Sequence, residues 1–420
     1  MQNEDLWLFQ GLRTPFCKVD GDLSDRNAID LGVPVVQSMV EELTGSPGTV
    51  VWGEVAPTLQ YSNIARETWL DADLDPSVTA LSTRMACSTS MAAVFDAVGY
   101  LNGSRNVALC GGAESMSNVQ VGLTMGLSKW MRRITQSSGP GEALGTLADA
   151  PITQMGLDIP GVKNRTTGKS MGEHCEEMAK TWDVSRDTQD ELALGSHQKA
   201  VAGRDNNFFE ELIVGVDDVS SDAFPRPDTS KEVLAGLSPA FDPGDGTLTA
   251  GNSSPLTDGA AGVWLATDSG RNRFDDSHRS VRLVDWETAA VDIFNEGLLM
   301  APAYAIPRLL DRHDFHYEDI DIWEIHEAFG AQVACHIKAL ESDSFLRERV
   351  GIDREFGEFP RERINPNGGS IALGHPFAAT GARILSQTVK ELAEKQAGTR
   401  AIVSICANGG LGTVCLLESA

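Results

Sequence analysis

Short apolar runs alternate along the chain with segments in which apolar residues recur every three or four positions. The first pattern predicts buried β-strands and the second predicts amphipathic helices, so their alternation indicates an α/β fold. Strands are predicted at NVALCGG (106–112), GVWLAT (262–267) and DIWEI (321–325), and as a pair joined by a Gly-rich turn in 401–418. Residues 88–102 show helical spacing, with one apolar face formed by Met91, Val94, Phe95, Val98 and Leu101.

The stretch 119–245 differs from the rest of the chain. Glycine and proline interrupt it, and it holds few signals for buried strands. We interpret it as a partly helical insertion in an α/β domain that resumes near Gly246. The expected division is an N-terminal domain of 1–118 with 246–270, a loop domain of 119–245, and a C-terminal domain of 271–420. No internal repeat is visible by letter identity.

Composition narrows the classes of function. The 420 residues include 41% hydrophobic and 22% charged side chains, which is typical of a globular protein. Acidic residues outnumber basic ones by 60 to 34, and the net charge of −26 argues against nucleic-acid binding. Seven scattered cysteines without CxxC spacing indicate reduced thiols rather than disulfides or a zinc site. The start, MQNEDLWLFQ, shows no targeting pattern, and no apolar run approaches the roughly 18 residues of a membrane span, so we expect a cytoplasmic protein.

Cys87 directly precedes the predicted helix at 88–102. A thiol at a helix N-terminus meets the positive end of the helix dipole and free backbone N–H groups, which we expect to lower its pKa. Serine and threonine at 88–90 are natural capping residues. Cys87 is therefore a candidate nucleophile. The alternative is a buried structural cysteine, which is the commoner role of a lone cysteine.

Two histidines follow strand or glycine signals in the second half. His326 lies where the strand DIWEI meets a helical segment, and it could polarise a carbonyl or donate to an enolate oxygen. His375 lies in Gly-His-Pro before a helix expected to start near Phe377, and it could act as general base for a thiol. The alternatives are a solvated helix-capping histidine for the first and a loop histidine without a partner for the second.

A second cysteine ends a predicted strand in CANGGLG (406–412). Cys406 could be a general acid or base, and the N–H groups of the turn could form an oxyanion hole. The alternative is a tight hairpin in which the cysteine only packs.

The order and spacing of these segments resemble the thiolase superfamily, the enzymes that make or break 3-ketoacyl-CoA. HEAF in place of NEAF, and C-x-T-S in place of C-x-S-G, resemble the branch that supplies the thiolase subunit of β-oxidation complexes, as does MGLSKWMRR (125–133). The matching stretches are RTPF (13–16), CSTS (87–90), GGAESMS (111–117), GKSMGEHCEEMA (168–179), TAGNSSPLTDGAA (249–261), HEAF (326–329), GGSIALGHPFAATGAR (368–383) and CANGGLG.

The resemblance implies a thiolase fold, with two similar α/β/α/β/α domains and an inserted loop domain. It implies an acyltransferase that cleaves 3-ketoacyl-CoA with CoA in fatty-acid β-oxidation, by ping-pong kinetics through acyl-Cys87. Cys87 matches the nucleophile, His375 its base, Cys406 the second acid/base and His326 the group that holds the thioester or enolate oxygen. A biosynthetic acetoacetyl-CoA thiolase would use the same residues. A ketosynthase fits less well because it lacks a second cysteine like Cys406, and a non-catalytic lipid carrier is the remaining alternative.

Further contacts follow from the same resemblance. An oxyanion hole would use the backbone N–H groups of Cys87 and Asn408, and Asn408 replaces the usual glycine. Asparagine tolerates left-handed backbone, so we expect the turn to form. Coenzyme A is expected as a substrate contacted by Ser254, Met171 and Ser170. No permanently bound cofactor and no metal are expected.

The segment GLSKWMRRI (126–134) shows helical spacing with basic residues between apolar ones. It could touch a membrane surface or a partner subunit, but packing of its apolar stripe on its own domain is the favoured interpretation. Family members are dimers or tetramers, and this branch pairs with a hydratase/dehydrogenase α subunit. We therefore expect at least a homodimer.

Overall fold

The computed structural model describes residues 4–420 except 57, 151, 155, 159, 160 and 162. Residues 1–3, the first part of the segment MQNEDLWLFQ, lie outside the described residues. The strands are β1 Leu6–Phe9, β2 Cys17–Lys18, β3 Thr49–Gly53, β4 Thr79–Thr83, β5 Val107–Glu114, β6 Gly122–Leu123, β7 Leu157–Asp158, β8 Thr257–Thr267, β9 Ser280–Ala290, β10 Ile322–Ile325, β11 Arg400–Ala407 and β12 Leu411–Glu418.

The helices lie between these strands. They are α1 Ala28–Glu41, α2 Ile64–Asp71, α3 Thr89–Val98, α4 Met125–Thr135, α5 Pro140–Ala148, α6 Met171–Thr181, α7 Arg186–Asp205, α8 Lys231–Ala235, α9 Asp268–Arg271, α10 Ala301–Arg312, α11 Gly330–Leu340, α12 Asp343–Phe345, α13 Ser370–Leu373 and α14 Thr380–Ala393. Among the described residues, no helix is both long and apolar enough to cross a membrane.

One mixed sheet organises the fold, in the order β10-β11-β12-β9-β1-β8-β5-β3-β4, with β2 paired to β8. At its centre, β1 runs antiparallel to both β8 and β9, so that Leu8 lies opposite Leu265 and Val281. On one side of this centre β3 is parallel to β5, and β5 is antiparallel to β8. On the other side β10 is parallel to β11, and β11 is antiparallel to β12. The two halves therefore repeat one topology, and the predicted α/β class with two similar halves is confirmed although no letter repeat is visible.

Alternation along the central strands places one apolar core on each face of the sheet. Ala108 and Cys110 of β5 and Val263 of β8 share a fully buried core with side chains of α3 and α14. Trp52 of β3 points to the other face, where its ring lies 3.6 Å from the position of a Cβ on Gly32 of α1. α3 and α14 are thus packed side by side on one face.

The predicted helix at 88–102 is shorter than expected. α3 ends at Val98, and Gly99 to Leu101 form a turn whose N–H groups bond to Asp96, Ala97 and Val98. The predicted turn between the last two strands is correct, because Ala407 pairs with Leu411 around three residues.

The chain separates into two compact units, 1–55 with 63–118 and 163–420, and 56–62 with 119–162. In the smaller unit α4 confirms the helix predicted at 126–134, and it packs on α5, where Trp130 Nε1 donates to the Thr146 carbonyl at 2.8 Å. No residue of α4 is buried. These units follow packing alone, so the predicted domain boundaries stay a prediction.

Candidate active site

Cys87 lies on a strained turn that leads into α3. The residue before it, Ala86, has φ of 48°, a left-handed conformation that side chains with a Cβ rarely adopt. The Thr89 hydroxyl holds this turn, since it accepts from the Met85 N–H at 2.9 Å and donates to the Ala86 carbonyl at 2.7 Å. Of the natural capping residues at 88–90, Ser88 takes the N-cap position, but its hydroxyl pairs with the hydroxyl of Thr413 on β12 and makes no capping bond to the helix backbone.

The expected lowering of the pKa of Cys87 by backbone N–H groups is outweighed by burial. The residue keeps part of its surface accessible, but the thiol itself is surrounded by protein atoms. Burial raises the pKa of Cys87 to about 12, although backbone N–H groups of Asn408 and Cys87 bond to the sulfur and act in the opposite direction. The resting group is therefore a thiol, and its proton must leave during attack.

His326 follows β10 and is fully buried. Asn365 holds the strand end, because its Oδ1 accepts from the Ile325 N–H at 2.8 Å and its Nδ2 donates to the Ile325 carbonyl at 2.9 Å. Its Nδ2 also donates to the Glu327 carboxylate at 2.5 Å. Burial lowers the pKa of His326 well below its ordinary value, and the charges of neighbouring His375, Arg383 and His336 add to this effect.

His375 lies in the loop between α13 and α14 and is 3% exposed. Its backbone N–H donates to the Thr257 hydroxyl at 3.0 Å. The prediction of a helix start near Phe377 is wrong, because α14 begins at Thr380. The Pro376 carbonyl accepts the N–H groups of Ala379 and Thr380, which closes a turn before the helix. Burial lowers the pKa of His375 to about 3, so the ring is neutral.

Close contact between α3 and α14 places Cys87 next to His375. Gly381 stands in the first turn of α14, and a Cβ at this position would lie 2.5 Å from the Met91 nitrogen on α3. The Ala382 N–H donates to the Ser90 hydroxyl at 2.8 Å across the same contact. A residue without a side chain therefore lets the N-terminal ends of the two helices meet.

The structure brings three of the predicted residues together. Cys87 Sγ and one ring nitrogen each of His326 and His375 all lie within 4.8 Å of one another. The two imidazole rings are 4.2 Å apart between centroids. A thiol and two imidazoles are also ligands that zinc accepts, so the absence of a metal stays a prediction.

Cys406 is the next-to-last residue of β11 and is buried near Cys87. Burial raises the pKa of Cys406 well above its ordinary value, and its interaction with the neighbouring Cys87 adds to the effect. The turn that follows is formed, as expected, although Asn408 itself is not left-handed. Gly409 and Gly410 take the left-handed positions with φ of 94° and 75°. The Asn408 side chain accepts from Asn164 Nδ2 at 2.8 Å, and its backbone N–H points at Cys87 Sγ.

The three predicted CoA contacts lie on different elements. Ser254 is half-buried, and its backbone N–H donates to the carbonyl of Ala328 in the HEAF segment at 2.9 Å. Met171 begins α6 and packs against the core that contains Cys406. The Ser170 hydroxyl caps α6 by accepting from the Glu173 N–H at 3.2 Å. A role of these residues in binding CoA stays a prediction.

Sequence reasoning missed the residues that hold the two histidines. The Ser370 hydroxyl lies 2.8 Å from His326 Nδ1, and the Thr380 hydroxyl lies 2.6 Å from His375 Nδ1. Arg383 reaches Ser370 from α14 and is 2% exposed. The available signal was polar residues at spacings of three and four in an otherwise apolar helix, which marks a polar stripe turned into the protein.

Two family models match consecutive parts of the chain: Thiolase, N-terminal domain, over residues 7–269, and Thiolase, C-terminal domain, over residues 278–419. The 3-ketoacyl-CoA thiolase of Yersinia enterocolitica is 35% identical over 427 residues, covering 99% of this chain and 97% of that relative. That of Vibrio cholerae is 35% identical over 425 residues, with the same coverage.

Solved structures give the same picture. The acetyl-CoA acetyltransferase of Bacillus anthracis is 28% identical with a TM-score of 0.80, and the similarity covers 99% of both chains. A thiolase of Ascaris suum in complex with coenzyme A is 25% identical with a TM-score of 0.78, and the similarity covers 99% of this chain and 100% of that one.

Proposed function

The chain belongs to the thiolase family, and we propose that it is a 3-ketoacyl-CoA thiolase, an acetyl-CoA C-acyltransferase. It would cleave 3-ketoacyl-CoA with CoA to give acetyl-CoA and an acyl-CoA two carbons shorter, as in fatty-acid β-oxidation. The observation that carries this proposal is the meeting of Cys87, His326 and His375 within 4.8 Å. A nucleophile, a neutral base and a second imidazole in one buried group fit covalent acyl transfer.

In the first half-reaction Cys87 Sγ attacks the 3-keto carbon, and its proton passes to His375 Nε2. The high pKa of the thiol and the neutral imidazole make this a coupled transfer rather than an attack by a preformed thiolate. The C2–C3 bond then breaks, and its electron pair forms the enolate of acetyl-CoA. His326 would stabilise the enolate oxygen in a site from which water is largely excluded.

Cys406 would give its proton to C2 of the enolate, which releases acetyl-CoA. The resulting Cys406 thiolate takes the proton of an incoming CoA thiol, and the CoA sulfur attacks the acyl group on Cys87. Cys87 leaves and recovers its proton from His375, so the cycle is balanced. The backbone N–H groups of Cys87 and Asn408 converge on Sγ, which supports a second oxyanion hole for the tetrahedral intermediates.

The experiment that tests this proposal compares Cys87→Ser with the parent enzyme on 3-ketoacyl-CoA substrates of four to sixteen carbons. We expect the variant to lose thiolysis by several orders of magnitude and to form no acyl adduct visible by mass spectrometry. Full activity in Cys87→Ser would reject the proposal. If the parent enzyme cleaved only the four-carbon substrate, a biosynthetic acetoacetyl-CoA thiolase would be favoured. If it showed neither turnover nor an acyl adduct, a non-catalytic carrier would be favoured.

A second part of the proposal concerns binding and assembly. Ser254, Met171 and Ser170 would contact CoA, and the protein would form an oligomer. The motifs that resemble the branch of β-oxidation complexes imply a homodimer or tetramer that pairs with a hydratase/dehydrogenase α subunit. Light scattering at working concentration tests the first point, and a monomer would contradict it. Co-purification of a hydratase/dehydrogenase activity with the protein tests the second.

A further inference from the structure

The two active-site histidines share one arrangement of their ring nitrogens. In both rings Nδ1 faces a hydroxyl, while Nε2 is buried and has no hydrogen-bond partner among the described residues. One ring nitrogen of each histidine lies within 4.8 Å of Cys87 Sγ. Because Nδ1 of each ring is already paired with a hydroxyl, Nε2 is the nitrogen available to the thiol and to a substrate. Which nitrogen carries the proton decides whether a ring can accept or donate there. The hydrogen bonds of the two hydroxyls settle this question differently for each ring.

For His375 the partner hydroxyl has already used its hydrogen. Thr380 Oγ1 donates to the Pro376 carbonyl at 2.9 Å, and a hydroxyl has only one hydrogen to give. Towards His375 Nδ1, at 2.6 Å, Thr380 can therefore only accept. Nδ1 carries the proton of the neutral ring, and Nε2 is left with a free lone pair. This nitrogen can take a proton from Cys87.

For His326 the partner hydroxyl is in the opposite situation. Ser370 Oγ accepts an N–H from Arg383 Nη2 at 2.9 Å, and a guanidinium can only donate. The remaining hydrogen of Ser370 has His326 Nδ1, at 2.8 Å, as its acceptor among the described residues. Nδ1 therefore accepts, and the proton of the neutral ring lies on Nε2. This nitrogen can donate to a developing oxyanion.

We propose that Arg383, acting through Ser370, positions His326 as an Nε2–H donor, while Thr380 keeps Nε2 of His375 free as the proton acceptor. This inference rests on the proposed function and deepens it. Arg383 touches neither Cys87 nor the reacting atoms, so it is a positioning residue. The pair of histidines is thereby divided into one acceptor and one donor before substrate arrives, which is the arrangement that proton removal and enolate stabilisation require.

The surroundings of Arg383 support this role. The side chain is 2% exposed, and its burial lowers the pKa of Arg383 to about 10, while the neighbouring Glu324, Glu327 and Asp222 act in the opposite direction. A buried cation behind both rings also disfavours a positive charge on His326 and His375. Replacing Arg383 would therefore change both the tautomer of His326 and the charge behind the site, which makes Ser370 the cleaner test position.

A direct test reads the tautomers by NMR of the full-length protein labelled with ¹⁵N-histidine. Protonated and bare ring nitrogens give well-separated ¹⁵N signals, and His326→Asn and His375→Asn assign the two rings. We expect His326 with the proton on Nε2 and His375 with the proton on Nδ1. The same tautomer in both rings would overturn the proposal. This readout needs no turnover, so a protein without thiolase activity but with the expected tautomers would reject the proposed function alone.

A kinetic test separates the two roles. Ser370→Ala should slow cleavage of 3-ketoacyl-CoA by roughly 10- to 100-fold, while alkylation of Cys87 by iodoacetamide stays within about twofold of the parent rate. Thr380→Val should slow alkylation of Cys87 by a similar roughly tenfold factor. Ser370→Thr and Thr380→Ser keep the hydroxyls and should retain activity. The proposal would be contradicted if Ser370→Ala lost cleavage and alkylation equally, or if it lost no cleavage. If a variant does not fold, the histidine tautomers of the parent protein provide the test.

Discussion

Gly381 offers a quantitative test of how the fold holds the active site together. In Gly381→Ala the new Cβ would stand 2.5 Å from the Met91 nitrogen and 2.8 Å from the Ser90 hydroxyl oxygen. The first contact is about 1 Å shorter than an ordinary van der Waals distance. Because the obstacle is backbone, relief requires that α14 move away from α3 by a comparable amount.

Two consequences follow from this movement. Overpacking of this kind costs about 1–3 kcal/mol of folding free energy. A displacement of about 1 Å between a nucleophile and its base costs on the order of 100-fold in rate, which corresponds to roughly 2.7 kcal/mol of activation free energy. We therefore expect kcat of thiolysis to fall by about two orders of magnitude in a protein that still folds.

Urea unfolding and steady-state thiolysis, measured side by side, test the reasoning. Gly195 in α7 provides the matched control, since a Cβ there would meet no atom of the described residues within 4 Å. Gly195→Ala should raise the free energy of unfolding by about 0.5–1 kcal/mol, because alanine favours helix, and should leave kcat unchanged. If Gly381→Ala kept thiolysis within about threefold of the parent, the spacing of α3 and α14 would not depend on this glycine.

Three further predictions concern folding free energy measured by urea unfolding. Burial raises the pKa of Glu42 to about 7, so folding favours the protonated carboxyl, and the stability that this group contributes at low pH is lost as the pH rises through that value. Glu42→Gln should therefore add about 2 kcal/mol to the free energy of unfolding at pH 8 and much less at pH 5. An equal gain at the two pH values would contradict this. Asn365→Ala should cost about 3 kcal/mol because it leaves the buried Ile325 N–H unpaired. Asn365 has φ of 44°, a left-handed conformation that strains alanine but not glycine, so Asn365→Gly should lose less, and equal losses would show that the side chain alone matters. Ala86→Gly should gain about 1 kcal/mol by relieving its left-handed conformation, and a loss of stability would refute the strain.

The main chemical groups could be predicted from the sequence because each lies in a short local motif. Cys87, His326, His375 and Cys406 all follow a strand or turn signal within a few residues. The thiolase resemblance and the fold class drawn from these motifs are confirmed by the family and structural comparisons.

Their supporting contacts could not be predicted in the same way. His326 meets Ser370 across 44 positions of sequence, and no spacing rule connects them. The pKa of Cys87 shows the same difficulty, since a helix terminus is a local feature, whereas enclosure of the thiol depends on the whole fold. Pro376 was misjudged because proline suits both a helix start and a turn, and the contacts of its carbonyl decide between them.

The repeated topology of the two halves limits which substitutions the chain can accept during evolution. Cys87 stands in the first half, whereas His326, His375 and Cys406 stand in the second, so a symmetrical scaffold carries an asymmetrical site. The nucleophile therefore lies in one half, before α3, and the base that serves it lies in the other half, before α14. Substitutions that repack α3 must therefore be matched by changes in α14. A chimera that joins halves from two distant relatives should form the sheet correctly but hold the Cys87 thiol and the His375 imidazole at the wrong distance from each other.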